Sequence, residues 1–293
     1  MIDCLKHFVF NTTNVPLTCK ALYKNFREYS FDDIAKHIIK YKGYFNKDYY
    51  NRISKNAKLY DLEVNDHEFD YTHILNHIDL FGLENLVYIN LSHAGLETIY
   101  ISPNSLKKLS ILDLSANNID NFIIPKNALL NITKLDLRYN CISKICFNDN
   151  IFNNLEVLFL NSNNIQNIEL NSIYFPKLNH LELQGNQLKT IKFISHFLFL
   201  EKLDLSYNDI ESISFLPNSF PNLIQLYLNN NKLTNLNLYD TSFSKLEILT
   251  LKYNYLNQKV YILKELLKTL KYLELDRCDI LDLGSCKIEF TNH

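Results

Sequence analysis

Leucine and isoleucine recur at fixed intervals over most of this chain. Nine segments align without gaps: LVYINLSHAGL (86–96), LSILDLSANNI (109–119), ITKLDLRYNCI (132–142), LEVLFLNSNNI (155–165), LNHLELQGNQL (178–188), LEKLDLSYNDI (200–210), LIQLYLNNNKL (223–233), LEILTLKYNYL (246–256) and LKYLELDRCDI (270–280). Their starts step by 23, 23, 23, 23, 22, 23, 23 and 24 residues. In each, side chains alternate around the paired apolar positions, which predicts a short strand with one buried face. Asn117, Asn140, Asn163, Asn186, Asn208, Asn231 and Asn254 share one column just past the strand. An amide carries donors and an acceptor, so a stacked Asn column is suited to pairing backbone groups left inside a turn. Ala94 and Cys278 hold that place in the first and last segments.

The return arms are only about a dozen residues long, room for a turn of 3₁₀ or a short helix. Phe152, Phe175, Phe197, Phe220 and Phe243 stand near their ends and are expected in the core. The last arm, 257–270, places Val260, Leu263, Leu266 and Leu267 at helical spacing. Residues 281–293 read as a closing strand or C-terminal cap.

The consensus L-x-x-L-x-L-x-x-N/C-x-L, with Ile allowed for Leu, resembles the leucine-rich repeat family over residues 86–280. The resemblance implies an α/β solenoid of nine coils, each adding one strand to a curved parallel sheet. It also implies a protein–protein recognition module that binds through the concave face of that sheet. Two outward-facing columns then supply the candidate partner-binding residues. The fifth position contributes Asp113, Asp136, Phe159, Glu182, Asp204, Tyr227 and Glu274; the eighth contributes Tyr139, Tyr207 and Tyr253. Aromatic residues are common interface anchors, and a row of carboxylates would steer a partner with a basic surface.

The first 85 residues differ. Residues 1–58 hold eleven Lys or Arg against five acidic residues, whereas 59–85 hold seven acidic residues and no Lys or Arg. The switch marks a helical N-terminal region (1–58) and an acidic connector or degenerate leading coil (59–85), where LYDLEVNDHEF (59–69) keeps the apolar spacing. Residues 31–41 place Ile34, Ile38 and Tyr41 on one helix face. Residues 4–26, with Pro16, Leu17, Cys19, Lys20, Leu22 and Phe26, resemble an F-box. That resemblance implies a substrate adaptor of a cullin-RING ubiquitin ligase, with Leu17, Cys19, Leu22 and Phe26 binding a Skp-family linker subunit. Read from the residues alone, the segment is a helical cap on the solenoid.

Composition narrows the function further. With 30 basic and 32 acidic residues the net charge is -2, which lacks the basic field of a nucleic-acid binder. No apolar run is long enough to span a bilayer, and Asp3, Lys6 and His7 interrupt any signal-peptide core. None of the six cysteines forms a Cys-x-x-Cys pair, so reduced, buried thiols and an intracellular, cytoplasmic setting are expected. His73 and His77 are spaced for one helix face, but Ile74 stands where a zinc protease carries its Glu. No phosphate-binding Gly loop or catalytic triad spacing can be read. The expectation is a non-enzymatic chain with no cofactor and no metal, bound neither to nucleic acid nor to membrane.

Overall fold

The computed structural model describes residues 61–63, 77–79, 87–276 and 287–290, apart from 94, 102, 126, 148–151, 239–242, 257–260 and 263. The F-box-like segment and the helical reading of 1–58 lie outside the described residues, as do Ala94 and Cys278.

The nine segments form nine strands of one parallel sheet. They are β3 (Tyr88–Asn90), β5 (Ile111–Asp113), β7 (Lys134–Asp136), β9 (Val157–Phe159), β11 (His180–Glu182), β13 (Lys202–Asp204), β14 (Gln225–Tyr227), β16 (Ile248–Thr250) and β18 (Tyr272–Leu275). Two more strands extend it to eleven: β1 (Asp61–Glu63) pairs with β3, and β19 (Lys287–Phe290) pairs with β18. Register is one-to-one throughout, so Leu112 sits between Ile89 and Leu135, and Leu181 between Leu158 and Leu203. The middle residue of each main-sheet strand from β3 to β16 is fully buried, while the residue before it is half-buried on the open face.

The return arms hold the expected tight turns, such as Leu178 N–H to Phe175 O and Leu223 N–H to Phe220 O, each at 3.2 Å. Beyond that expectation they carry a second set of short parallel strands. β2 (His77–Asp79) pairs with β4 (Thr98–Tyr100), and β6 (Asn121–Ile123) with β8 (Lys144–Cys146). β10 (Asn167–Leu170) pairs with β12 (Thr190–Phe193), and β15 (Asn237–Leu238) with β17 (Tyr261–Ile262). Stacking explains the difference. An arm held at a fixed offset from its neighbours finds their backbone groups alongside, and a ladder between coils satisfies them better than an isolated turn. In the last arm a single helix, α1 (Lys264–Thr269), does form, with Leu266 buried beneath it.

Between the two strand sets runs a phenylalanine spine. Phe152 and Phe175 stack at 5.8 Å, Phe197 and Phe220 at 5.9 Å, and Phe220 and Phe243 at 5.9 Å. Phe147, Phe193 and Phe215 wedge edge-on against them, as where Phe193 meets Phe220 at 5.0 Å. All five expected core phenylalanines are buried. Edge-to-face and offset contacts add to area burial because ring edges are positive and faces negative.

Candidate functional site

The geometry of the open face begins at the Asn column, because that column fixes the turn after every strand. Asn186 Nδ2 donates to Leu160 O (3.0 Å) in the preceding coil and to Leu183 O (2.9 Å) in its own, while Oδ1 accepts from Ile165 N–H at 3.0 Å. Asn117, Asn140, Asn163, Asn208, Asn231 and Asn254 repeat this pattern. The column is structural, as the sequence implied.

One consequence of this turn is invisible in the sequence. The residue just before each Asn sits in the left-handed region, as does His93 at the equivalent place in the first segment: His93 (φ 54), Ala116 (54), Tyr139 (54), Ser162 (56), Gly185 (67), Tyr207 (56), Asn230 (55) and Tyr253 (59). Its N–H bonds the neighbouring coil, for example Tyr207 N to Asn229 O at 2.9 Å, so the conformation is imposed by stacking. Gly and Asn accept it readily, whereas other L-residues lose about 1–2 kcal/mol. Leu106 and Leu129 are also left-handed, but both are fully buried. Tyr139, Tyr207 and Tyr253 are 59%, 60% and 49% exposed, so burial offsets little of the strain.

Along the middle of the face the expected carboxylate stripe is present but internally partnered. Asp136 is fully buried and takes Arg138 Nε at 2.9 Å and Nη2 at 2.7 Å. The Arg138 guanidinium lies 4.8 Å from the Phe159 ring centroid, with Lys134 Nζ at 5.1 Å. Glu182 accepts from Lys202 Nζ at 2.6 Å, and that ammonium is 5.8 Å from the Tyr227 ring. Glu274 pairs with Lys252. Asp113 and Asp204 accept hydroxyl and backbone donors from Ser115 and Ser206, at 2.7 and 2.9 Å and at 2.6 and 3.0 Å. The cations that the fifth and eighth columns leave out occupy the third and seventh. Asp136-x-Arg138 spacing was the available local signal, whereas Lys202–Glu182 and Lys252–Glu274 join neighbouring coils.

These contacts move the titrations. Burial pushes the Asp204 carboxyl above the usual range, opposed by the two Ser206 bonds. Burial, joined by the nearby Lys202, lowers the His180 imidazole below its ordinary 6.5. Burial raises the Tyr227 phenol.

Other candidates fare differently. His77 opens β2 and lies on no helix, so it has no helix face to share with His73. Cys141 is exposed, correcting the expectation of a buried thiol, because its position follows the Asn column outward. Leu17, Cys19, Leu22 and Phe26 lie outside the described residues. Among the described residues no group of three His, Cys, Asp or Glu is placed to hold a metal, and no helix is long and apolar enough to cross a membrane.

Residues 199–241 match the family described as Leucine Rich repeats (2 copies). No characterised protein matches the sequence closely enough to count as a relative. Several solved structures share the fold. YopM from Yersinia enterocolitica WA-314 is 22% identical with a TM-score of 0.54, covering 75% of this chain and 42% of its own. The leucine-rich repeat domain of APL1B is 18% identical with a TM-score of 0.57, covering 92% of this chain and 83% of its own. The plant peptide hormone receptor RGFR1, solved in complex with RGF2, is 19% identical with a TM-score of 0.54, covering 78% of this chain and 42% of its own. The chain thus spans less than half the length of YopM and RGFR1. Nine in-register repeats, the matched pair of units and the shared parallel solenoid give this chain the leucine-rich repeat fold.

Proposed function

We propose that this chain is a non-catalytic recognition module that binds another protein through the open face of its main sheet. The observation that carries the reading is an eleven-stranded sheet with one face buried in the core and the other lined with aromatic and paired charged side chains. Eleven strands at about 4.8 Å make a face roughly 48 Å long, and its breadth from the third to the eighth position is about 16 Å. That area suits the standard protein interface of about 800 Å² per partner. Phe159 and Tyr227, each under a cation, are rigid, partly buried rings of the kind that anchor interfaces. The RGFR1 solenoid in complex with RGF2 is an instance of the fold engaging another polypeptide. A ligase-adaptor role rests on the 4–26 motif alone, and nothing among the described residues favours it.

The test is affinity capture from a eukaryotic lysate with the wild type and with the Tyr207→Ala, Tyr227→Ala, Tyr253→Ala triple variant. Capture should fall at least tenfold while the melting temperature moves by only a few degrees. Equal capture by both proteins would refute the open face as the binding surface.

A further inference from the structure

Three exposed tyrosines occupy positions where the backbone favours glycine or asparagine. The same column shows the cheaper solutions, since Gly185 and Asn230 stand at equivalent turns. A bulky residue in left-handed conformation is an outlier that normally needs a compensating gain. Leu106 and Leu129 have theirs in full burial, but Tyr139 and Tyr207 remain about three-fifths exposed. Burial therefore does not account for the Tyr139 and Tyr207 rings.

Their surroundings have a distinct chemistry. Two residues further along each coil the chain presents Asn118, Cys141, Asn164, Gln187, the Asp209–Lys232 pair and Tyr255. Asp209 and Lys232 neutralise each other at 2.8 Å, and Tyr255 is 58% exposed. From His93 to Tyr253 this rim crosses eight coils, about 34 Å at ~4.8 Å per strand. Tyr interspersed with Asn, Ser and Gly is the composition of surfaces that bind folded protein epitopes. Tyrosine supplies large rigid contact area at low entropic cost, and the small polar residues adapt their hydrogen bonds. The centre of the face, by contrast, spends its charges on internal pairs between Arg138 and Asp136 and between Lys202 and Glu182.

We propose, resting on the protein-recognition reading above, that the primary docking surface is the tyrosine rim carried by Tyr139, Tyr207, Tyr253 and Tyr255, and that its occupant is a folded protein with a neutral polar surface. The rim is too long for a few-residue peptide to fill, and its uncharged character selects against a partner steered by charge. Binding is then nearly independent of ionic strength, because screening acts only on charges that face the partner.

The experiment uses the full chain and a phage-displayed library of one single-domain scaffold as the probe. Binders selected independently on the wild type are retested on a rim variant (Tyr139→Asn, Tyr207→Asn, Tyr253→Asn) and a centre variant (Glu182→Gln, Lys202→Met), at 0.1 M and 0.5 M salt. The expected result is that most binders lose at least tenfold affinity on the rim variant, keep it on the centre variant and change less than threefold with salt. Binders that converge on the centre would preserve the recognition reading and overturn the rim. Binders scattered over the whole molecule would overturn both. The rim variant must also melt at or above the wild-type temperature; a clear fall would make the tyrosines structural and sink the proposal. A displayed library of linear peptides that binds the rim equally well would replace the folded partner with a peptide. A dimer of the wild type lost in the rim variant, seen by sedimentation, would replace it with a second copy of the chain.

Discussion

Asn186 illustrates how much of this molecule is decided by single side chains. Its amide satisfies three backbone groups drawn from two coils, all of them buried. Asn186→Ala strands those groups, and the expected loss is about 3 kcal/mol in a urea unfolding titration. His180 acts through protonation. Its folded-state pKa lies below the ordinary 6.5, so the unfolded chain takes up the proton first as pH falls. Stability is intact above pH 6.5 and declines below it. His180→Gln should flatten the melting-temperature profile on that acidic side; an unchanged slope would show that other groups set it. Asp204 has the opposite sign, since a raised carboxyl favours the folded state where it is protonated and costs stability as pH rises through its folded pKa. The Asn column was readable from sequence because one residue type recurs at one spacing. The left-handed residue before it was not, because His, Ala, Tyr, Ser and Asn share no preference for that conformation and only the stacked turn imposes it.

At the level of elements, the nine strands were legible, but the second strand set was not. Ile99, Phe122, Ile145, Ile168 and Ile191 do recur at one place in successive coils. β10 (NIEL) and β12 (TIKF) even alternate polar and apolar residues, but three or four residues are too short a stretch for alternation to mark a strand, and pairing between neighbouring arms supplies the rest. The phenylalanine spine couples the two sets. Phe220 contacts Phe193, Phe197, Phe215 and Phe243. Phe220→Ala should therefore cost about 3–5 kcal/mol by equilibrium denaturation. A loss below 1 kcal/mol would mean that the spine repacks around the gap.

For the molecule as a whole, stability follows from stacking, since each coil touches only its neighbours. β9, β11 and β13 each have strands on both sides, whereas β1 and β19 have one neighbour each in the main sheet. Hydrogen exchange should be slowest in the central strands and fastest in β1 and β19; uniform protection would point to all-or-none opening. The sequence by itself determined the repeat, its period, the buried face of each strand and the Asn column, because each depends on residue type at a fixed local spacing. Only the tertiary structure decided which charges cancel. Lys202 with Glu182 and Lys252 with Glu274 become partners through one-to-one register, which brings the third, fifth and seventh positions of neighbouring coils within reach. The same stacking forced eight turn residues into left-handed backbone and so turned three ordinary tyrosines into exposed, strained ones.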